Sequence, residues 1–299
     1  MKTVGLIGLG AMGSGMAMSL RRAGHMPYVY DIRPEVAQAF AAQGGVACAS
    51  LAELGAACDV VISVVVNADQ TEQGLWGPGR DQQGVAHAMR AGSLLVMCST
   101  VDPNRSVAWE SELNAMGLLY LDAPISGGAA RAASGEMTMM TAGVSAAYEL
   151  ADPFLQAMAG QVYRLGDRAG NGSKVKIINQ LLAGVHIAAA AEAMALGLRE
   201  GVDAHALYEV ITHSAGNSWM FENRMAHVLA ADYTPLSAVD IFVKDLGLVL
   251  DTARASRFPL PLASTAHQMF MQASAAGHGR EDDSAVIKIF PGIELPQKD

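Results

Sequence analysis

Apolar residues in the first half of the chain fall in short runs, separated by stretches whose apolar positions recur at helical spacing. Thr3-Val-Gly-Leu-Ile7 reads as a strand, an amphipathic helix follows to about Ala23, and Gly24 stops it. Tyr28-Val29-Tyr30 is a second strand that ends at Asp31. The alternation continues with a buried strand over Asp59–Val64 and another over Ser93–Met97, the latter running into Cys98-Ser99-Thr100. Pro103 opens a helix to about Met116, and Leu118–Leu121 is again strand, leading into Asp122-Ala123-Pro124. Two further strands, Met137–Thr141 and Gln161–Leu165, flank a helix from about Ser145 to Met158. Strands that alternate with helices predict a parallel, Rossmann-like α/β fold.

The pattern changes at Gly170. From there to Gly201 runs an Ala/Leu/Ile-rich segment with about 28 helical residues, or about 42 Å at the helical rise. Gly201 is a natural C-cap. Lys176, Asn179 and Gln180 interrupt its first turns, and their spacing places them on one face. The run is long enough to raise the question of a membrane span, but Asn179, Gln180, His186 and Glu192 argue for the core helix of a soluble protein. Beyond it only helical segments are legible, near 203–215, 219–230, 236–257, 262–276 and 281–289. The expected organisation is a nucleotide-binding domain over 1–166 and an all-helical domain over 167–299 that begins with the long interdomain helix. The helical half is more apolar than one layer over a sheet requires, which points to subunit contacts.

Composition narrows the function. Of 299 residues, 51% are hydrophobic and 16% charged, enough for a large core. A net charge of -9 argues against nucleic acid, whose phosphates need a basic face. Cys48, Cys58 and Cys98 lie apart without a CxxC motif, as expected of reduced thiols in a cytoplasm. The apolar stretch after Met1 is broken by glycines at 5, 8, 10, 13 and 15 and lacks a signal-peptide core. The histidines fall in no zinc-binding spacing, so no metal is expected.

Gly8-Leu9-Gly10-Ala11-Met12-Gly13 sits between the first strand and its helix, and Asp31 ends the next strand 18 residues after Gly13. In that context GxGxxG is a dinucleotide fingerprint: a tight turn, close approach of backbone to a pyrophosphate, and close helix–strand packing. Asp31 would accept from the adenosine ribose hydroxyls and favours NAD, whereas Arg33, just past Ile32, could accommodate the extra phosphate of NADP. In open parallel sheets ligands bind beyond the carboxyl ends of strands, which places Val66-Asn67, Thr100 and the segment after Asp122 along one rim. Ser126-Gly127-Gly128 within that segment reads either as an ordinary turn or as a cradle for a short carboxylate.

Four segments together resemble the 3-hydroxyisobutyrate dehydrogenase family of β-hydroxyacid dehydrogenases. They are Gly5–Gly13, Asp122-Ala-Pro-Ile-Ser-Gly-Gly128, Gly170-x-Gly-x-x-x-Lys176-x-x-Asn179 and Lys244-Asp245-Leu246, in matching order across nearly the whole chain. The resemblance implies NAD(P)-dependent oxidation of a hydroxyl near a carboxylate in a small anionic sugar acid or hydroxyacid. It casts Lys176 as the catalytic lysine and Asn179 as the residue that orients substrate. Ser126, Gly127 and Gly128 become the carboxylate-binding turn, with Thr100 and Lys244 near the nicotinamide. A homodimer or homotetramer is also a family expectation. Val64–Asn67, Asn179–His186, His213–Asn223 and Glu281–Lys288 narrow the likeness to members that act on a sugar acid.

Oxidising an alcohol requires a base for the hydroxyl proton. Burial of Lys176 and proximity of Lys244 would each favour the neutral amine, while a substrate carboxylate would oppose them. Lys244 also has a plainer reading, an ion pair with Asp240 one turn earlier. Arg131, where many relatives have glycine, either reaches a substrate carboxylate or faces solvent. His213, Asn217, Trp219 and Phe221 either pack helix against helix or edge the pocket. A noncatalytic cofactor-binding module is the alternative from outside enzymology, and 3-hydroxyisobutyrate dehydrogenase and tartronate semialdehyde reductase are the rival activities within it.

Overall fold

The computed structural model describes residues 2–298. In the first half, strands and helices alternate as β1 (Val4–Ile7), α1 (Ala11–Arg22), β2 (Tyr28–Tyr30), α2 (Pro34–Ala41), β3 (Val46–Ala47), α3 (Leu51–Ala57) and β4 (Val60–Ser63). They continue as α4 (Ala68–Trp76), α5 (Val85–Ala88), β5 (Leu94–Met97), α6 (Pro103–Ala115) and β6 (Leu119–Asp122). These six strands form one parallel sheet in the order β3-β2-β1-β4-β5-β6. The order reverses direction at β1/β4, which creates the crevice where α/β sheets of this kind receive nucleotides. Buried Val, Ile and Leu side chains on both faces of β1, β4 and β5 account for the continuous apolar runs in the sequence.

The two further strands expected at Met137–Thr141 and Gln161–Leu165 are present and lie in a second sheet. Here β7 (Ile125–Ser126), α7 (Gly128–Ser134), β8 (Met137–Thr141), α8 (Ser145–Met158) and β9 (Ala159–Arg164) follow, with strand order β7-β8-β9. β7 runs antiparallel to β8, pairing Ser126 with Thr138, and β8 runs parallel to β9. The reason is local: Pro124 and the Ser-Gly-Gly turn redirect the chain after β6, so the next strand cannot continue the parallel order. Several short elements lie outside the expected set, namely α2 to α5, α7 and the two-residue strands β3 and β7. The start of α3 had a signal: Ser50 caps it by accepting from Glu53 N–H, and Glu53 reaches back to Ala49 N–H, a capping-box-like arrangement.

The second half is helical: α9 (Asn171–Arg199), α10 (Ala204–Thr212), α11 (Trp219–Leu229), α12 (Val239–Ala255) and α13 (Pro261–Ala273), with a 3₁₀ segment at Asp283–Ile289. By contacts the chain divides into two compact units, the first ending at Lys176 and the second beginning at Ile177, inside α9. Gly201 ends α9 as expected, at φ +77°, with Val202 N–H bonded to Gly197 and Gly201 N–H to Leu198, the Schellman pattern. The hydropathy of α9, 1.7 over its most apolar window, would suit a membrane span. Its buried residues Ile187, Ala190, Ala191 and Met194 instead join Phe242, Leu246 and Phe270 in the core of the second unit. Gly184 is required there, because a Cβ would sit 2.9 Å from the Leu246 methyls.

The 3₁₀ segment is fastened by charge. Arg224 grips the fully buried Asp283 through two nitrogens, and His227 Nδ1 lies 3.2 Å from Asp282 Oδ1. Hydrogen bonds from His227 and Ser284 outweigh the burial of Asp282 and hold its carboxyl down at about 2. The bond to Asp282 raises His227 above its usual value of 6.5 against the opposing effect of burial. A raised folded-state pKa means that the stabilisation from His227 is fully present below about pH 6.5 and is lost as pH rises through the folded value. Urea melts of the wild type and His227→Gln should therefore show a stability gap at pH 6 that closes by pH 9. A gap that widened with pH would contradict this assignment.

Candidate active site

The β1–α1 turn is built by three glycines with different duties. Gly8 has φ +92°, and a Cβ there would lie 2.5 Å from Val64 O. A Cβ on Gly13 would lie 1.9 Å from Gly8 O, so that position closes the helix onto the turn. Gly10, the N-cap of α1, would place a Cβ within 4 Å of nothing. The space over the helix N-terminus is thus open, and the first-turn residues Ala11, Met12 and Gly13 contribute no acidic side chain that would repel an anion.

Asp31 lies at the end of β2 and is buried. Its Oδ2 accepts from Leu9 N–H at 2.8 Å, and its Oδ1 accepts from Arg33 N–H at 3.0 Å and Arg33 Nε at 3.2 Å. Burial opposes ionisation, but these bonds prevail and hold the carboxyl below its usual range. Asp31 thus joins the glycine turn to the end of the second strand. Arg33 is largely exposed and Ile32 is 83% exposed beside it, an isolated apolar side chain at the mouth of the turn.

The other predicted rim positions follow the carboxyl ends of β4, β5 and β6 within the same unit. Asn67 caps α4 by accepting from Gln70 N–H, while Gln70 accepts from Val66 N–H. Ser99 donates to Val65 O and receives Thr71 Oγ1, which fixes the Val66-Asn67 loop beside Thr100. Ser126 and Gly127 are half-buried, Gly128 is exposed, and both glycines have positive φ, at +130° and +73°. The helix that follows this turn is seated on α1. A Cβ on Gly15 would lie 2.7 Å from Ala133 N, and Ser19 Oγ donates to Ala132 O. The dinucleotide turn and the Ser-Gly-Gly turn are therefore braced by the same helix. Arg131 folds back along Gly127, where a Cβ would lie 2.9 Å from its Cδ, and the residue remains exposed.

Lys176 is buried on α9, one turn after Ser173. The start of that helix rests on Asp122, which the sequence marks as the end of a strand and the first residue of the Asp122–Gly128 segment. Asp122 Oδ2 accepts from Gly170 N–H at 2.8 Å and Ser173 N–H at 2.9 Å, and Oδ1 accepts from Ser173 Oγ at 2.7 Å. Burial raises the Asp122 carboxyl above its usual range while those bonds pull it down. A helix that begins on Gly170 with no capping side chain of its own was the available hint.

In the second unit Asn179 heads a polar chain. Its Nδ2 donates to Gln180 Oε1, Gln180 Nε2 donates to Asp245 Oδ2 at 2.6 Å, and Lys244 Nζ lies 2.7 Å from Asp245 Oδ1. Gln180 and Asp245 are buried, and they hold Asn179 and Lys244 in register. Asp240, the plainer partner for Lys244, accepts from Ser274. Phe221 is buried and stacks on Tyr208, so it packs, whereas Trp219 is half-exposed beside a depression of about 320 Å³. His213 is exposed, and Asn217 donates to Thr212 O. The three cysteines are free and buried, and burial pushes Cys48 up to about 11 and Cys58 to about 12, which makes them inert thiols.

Comparison with known proteins identifies the family. Residues 3–166 match the family model described as the NAD binding domain of 6-phosphogluconate dehydrogenase. Residues 170–290 match the NAD-binding model of NADP-dependent 3-hydroxyisobutyrate dehydrogenase. The chain belongs to the 3-hydroxyisobutyrate dehydrogenase family. It is an NAD(P)-dependent oxidoreductase acting on CH–OH groups. It is 69% identical to L-threonate dehydrogenase of Cupriavidus necator, with 99% of each chain covered. It is 52% identical to L-threonate dehydrogenase of Escherichia coli K12, covering 98% of this chain and 96% of that one. A crystal structure of 3-hydroxyisobutyrate dehydrogenase from Salmonella typhimurium superposes with a TM-score of 0.91 at 54% identity, covering 97% of this chain and all of that one.

The glycine turn makes a sharp prediction. Gly10→Ala should melt within about 2 °C of the wild type, because its Cβ enters open space at a φ of -70°, yet it should weaken NAD binding. Gly13→Ala should lower the melting temperature by several degrees. Calorimetry with NAD titration checks both, and equal thermal losses in the two variants would contradict the assigned duties.

Proposed function

We propose that this enzyme oxidises L-threonate to 2-oxotetronate, with NAD preferred over NADP. The observation that carries this reading is 69% identity over 99% of both chains to a protein named L-threonate dehydrogenase. The open turn above Gly10, the exposed Ile32 and the ionised Asp31 suit the adenosine half of NAD, and Asp31 would repel the added phosphate of NADP. Gly8 to Gly13, with Val66, Asn67, Thr100 and Lys244, are the cofactor contacts in this reading. The bound nicotinamide supplies hydride acceptance.

The chain's own residues then have proton transfer and orientation to perform. Lys176 Nζ takes the proton of the hydroxyl that becomes the carbonyl and returns it in the reverse direction. Asn179, three residues further along α9 and fixed through Gln180, holds the substrate hydroxyls. Ser126 with the backbone N–H groups of Gly127 and Gly128 holds the carboxylate, which sets the C2 hydroxyl toward the base. The molecule has no need of a second catalytic acid, because the amine carries the proton both ways. In this reading the enzyme works in the cytoplasm as a homodimer or homotetramer.

Initial rates with L-threonate, D-threonate, D-erythronate and 3-hydroxyisobutyrate, each with NAD and NADP, test the substrate. The expected result is a kcat/KM for L-threonate with NAD at least about tenfold above every other pairing, a difference near 1.4 kcal/mol. Preference for 3-hydroxyisobutyrate would overturn the substrate and keep the family. Lys176→Ala should lower kcat by about 10²–10⁴, the range of a lost acid–base group, with NAD affinity kept.

A further inference from the structure

We infer that Asp122 is a positioning residue for Lys176, acting through the first turn of α9. This rests on the reading of Lys176 as the acid–base group. Gly170, whose carbonyl accepts the first bond of α9 from Lys174 N–H, occupies the capping position and has no side chain to satisfy the helix's leading amides. Asp122 takes over that task from a different strand. Its two oxygens collect Gly170 N–H, Ser173 N–H and Ser173 Oγ–H within 2.9 Å, and both Asp122 and Ser173 are fully buried.

The aspartate itself has no slack. Its backbone pairs with Ala142 through two hydrogen bonds, while β6 is paired along its length with β5. The helix also lies directly on the strands: a Cβ on Gly172 would sit 2.4 Å from Met140 O and 3.0 Å from Asp122 O. Lys176 follows Ser173 by three residues, on the same helical face, with its side chain angled back toward the helix start. Any shift of the first turn is therefore passed to the lysine, and proton transfer tolerates little displacement.

Asp122→Ala tests this, because it removes both oxygens that accept from the Gly170 and Ser173 amides and the Ser173 hydroxyl. The expected result is a fall in kcat of at least about 30-fold, with the Kd for NAD changed less than about threefold. In a Lys176→Ala background, where residual turnover is read at high enzyme concentration, the same substitution should change kcat less than about twofold. Should Asp122→Ala fail to fold, Ser173→Ala removes one of the three bonds and is expected to cost about 3–10-fold in kcat, again only when Lys176 is present. Equal losses in both backgrounds would reduce Asp122 to a structural role and overturn the inference. Wild-type kcat in Asp122→Ala or Ser173→Ala, with Lys176→Ala inactive, would overturn it and leave the lysine reading standing. Near-normal turnover of Lys176→Ala would overturn the lysine reading and, with it, this inference.

Discussion

One buried carboxylate holds the end of the parallel sheet to the start of the longest helix. Asp122 closes β6, and in the same place it satisfies the amides of Gly170 and Ser173 that open α9. A buried carboxylate is costly unless every lone pair is engaged. Here three donors engage it, and they belong to the helix that carries Lys176. The contact sets both where the helix begins and how its first two turns are rotated, so the placement of the lysine follows from the register of the sheet.

The remainder of the first unit is organised by similarly short distances. Gly8 and Gly13 bring α1 against the β1 turn with no room for a methyl group, and Gly15 brings α7 against α1. One helix thus supports the dinucleotide turn at its start and the Ser-Gly-Gly turn through its flank. Asp31 adds a third tie by holding Leu9 N–H from the end of β2. In the second unit the same economy of contact appears in polar form, where Gln180 and Asp245 link Asn179 to Lys244. Asp31, Asn67, Asn179 and Lys244 are each tied to a neighbouring backbone or side-chain group, which is how small groups keep a fixed geometry.

The fold was legible where the sequence repeats a period. Strands β1, β4 and β5 read directly because buried parallel strands are continuous apolar runs, and α8 read to its end residues because Met158 closes a clear amphipathic pattern. The short helices between β2 and β5 did not, since four to nine residues give too few turns for a period to emerge; the caps Ser50 with Glu53 and Asn67 with Gln70 were local cues. The second sheet was missed because pairing is a long-range property: nothing within Met137–Thr141 states that its partner is Ser126 and not Leu121. Glycines and charged residues of the candidate site stood out by spacing and resemblance. Asp122, Gln180 and Asp245 were visible as residues but not as partners, because their roles depend on segments 48 and 65 residues away.

Hydrogen exchange resolves the central contact most directly. In the wild type, the amides of Gly170 and Ser173 should exchange as slowly as those of the neighbouring β6 strand, because a buried acceptor holds each of them. In Asp122→Ala they should exchange at least about tenfold faster, while amides in β1 and β5 keep their rates. Unchanged protection at Gly170 and Ser173 would contradict the claim that this carboxylate fastens the helix to the sheet.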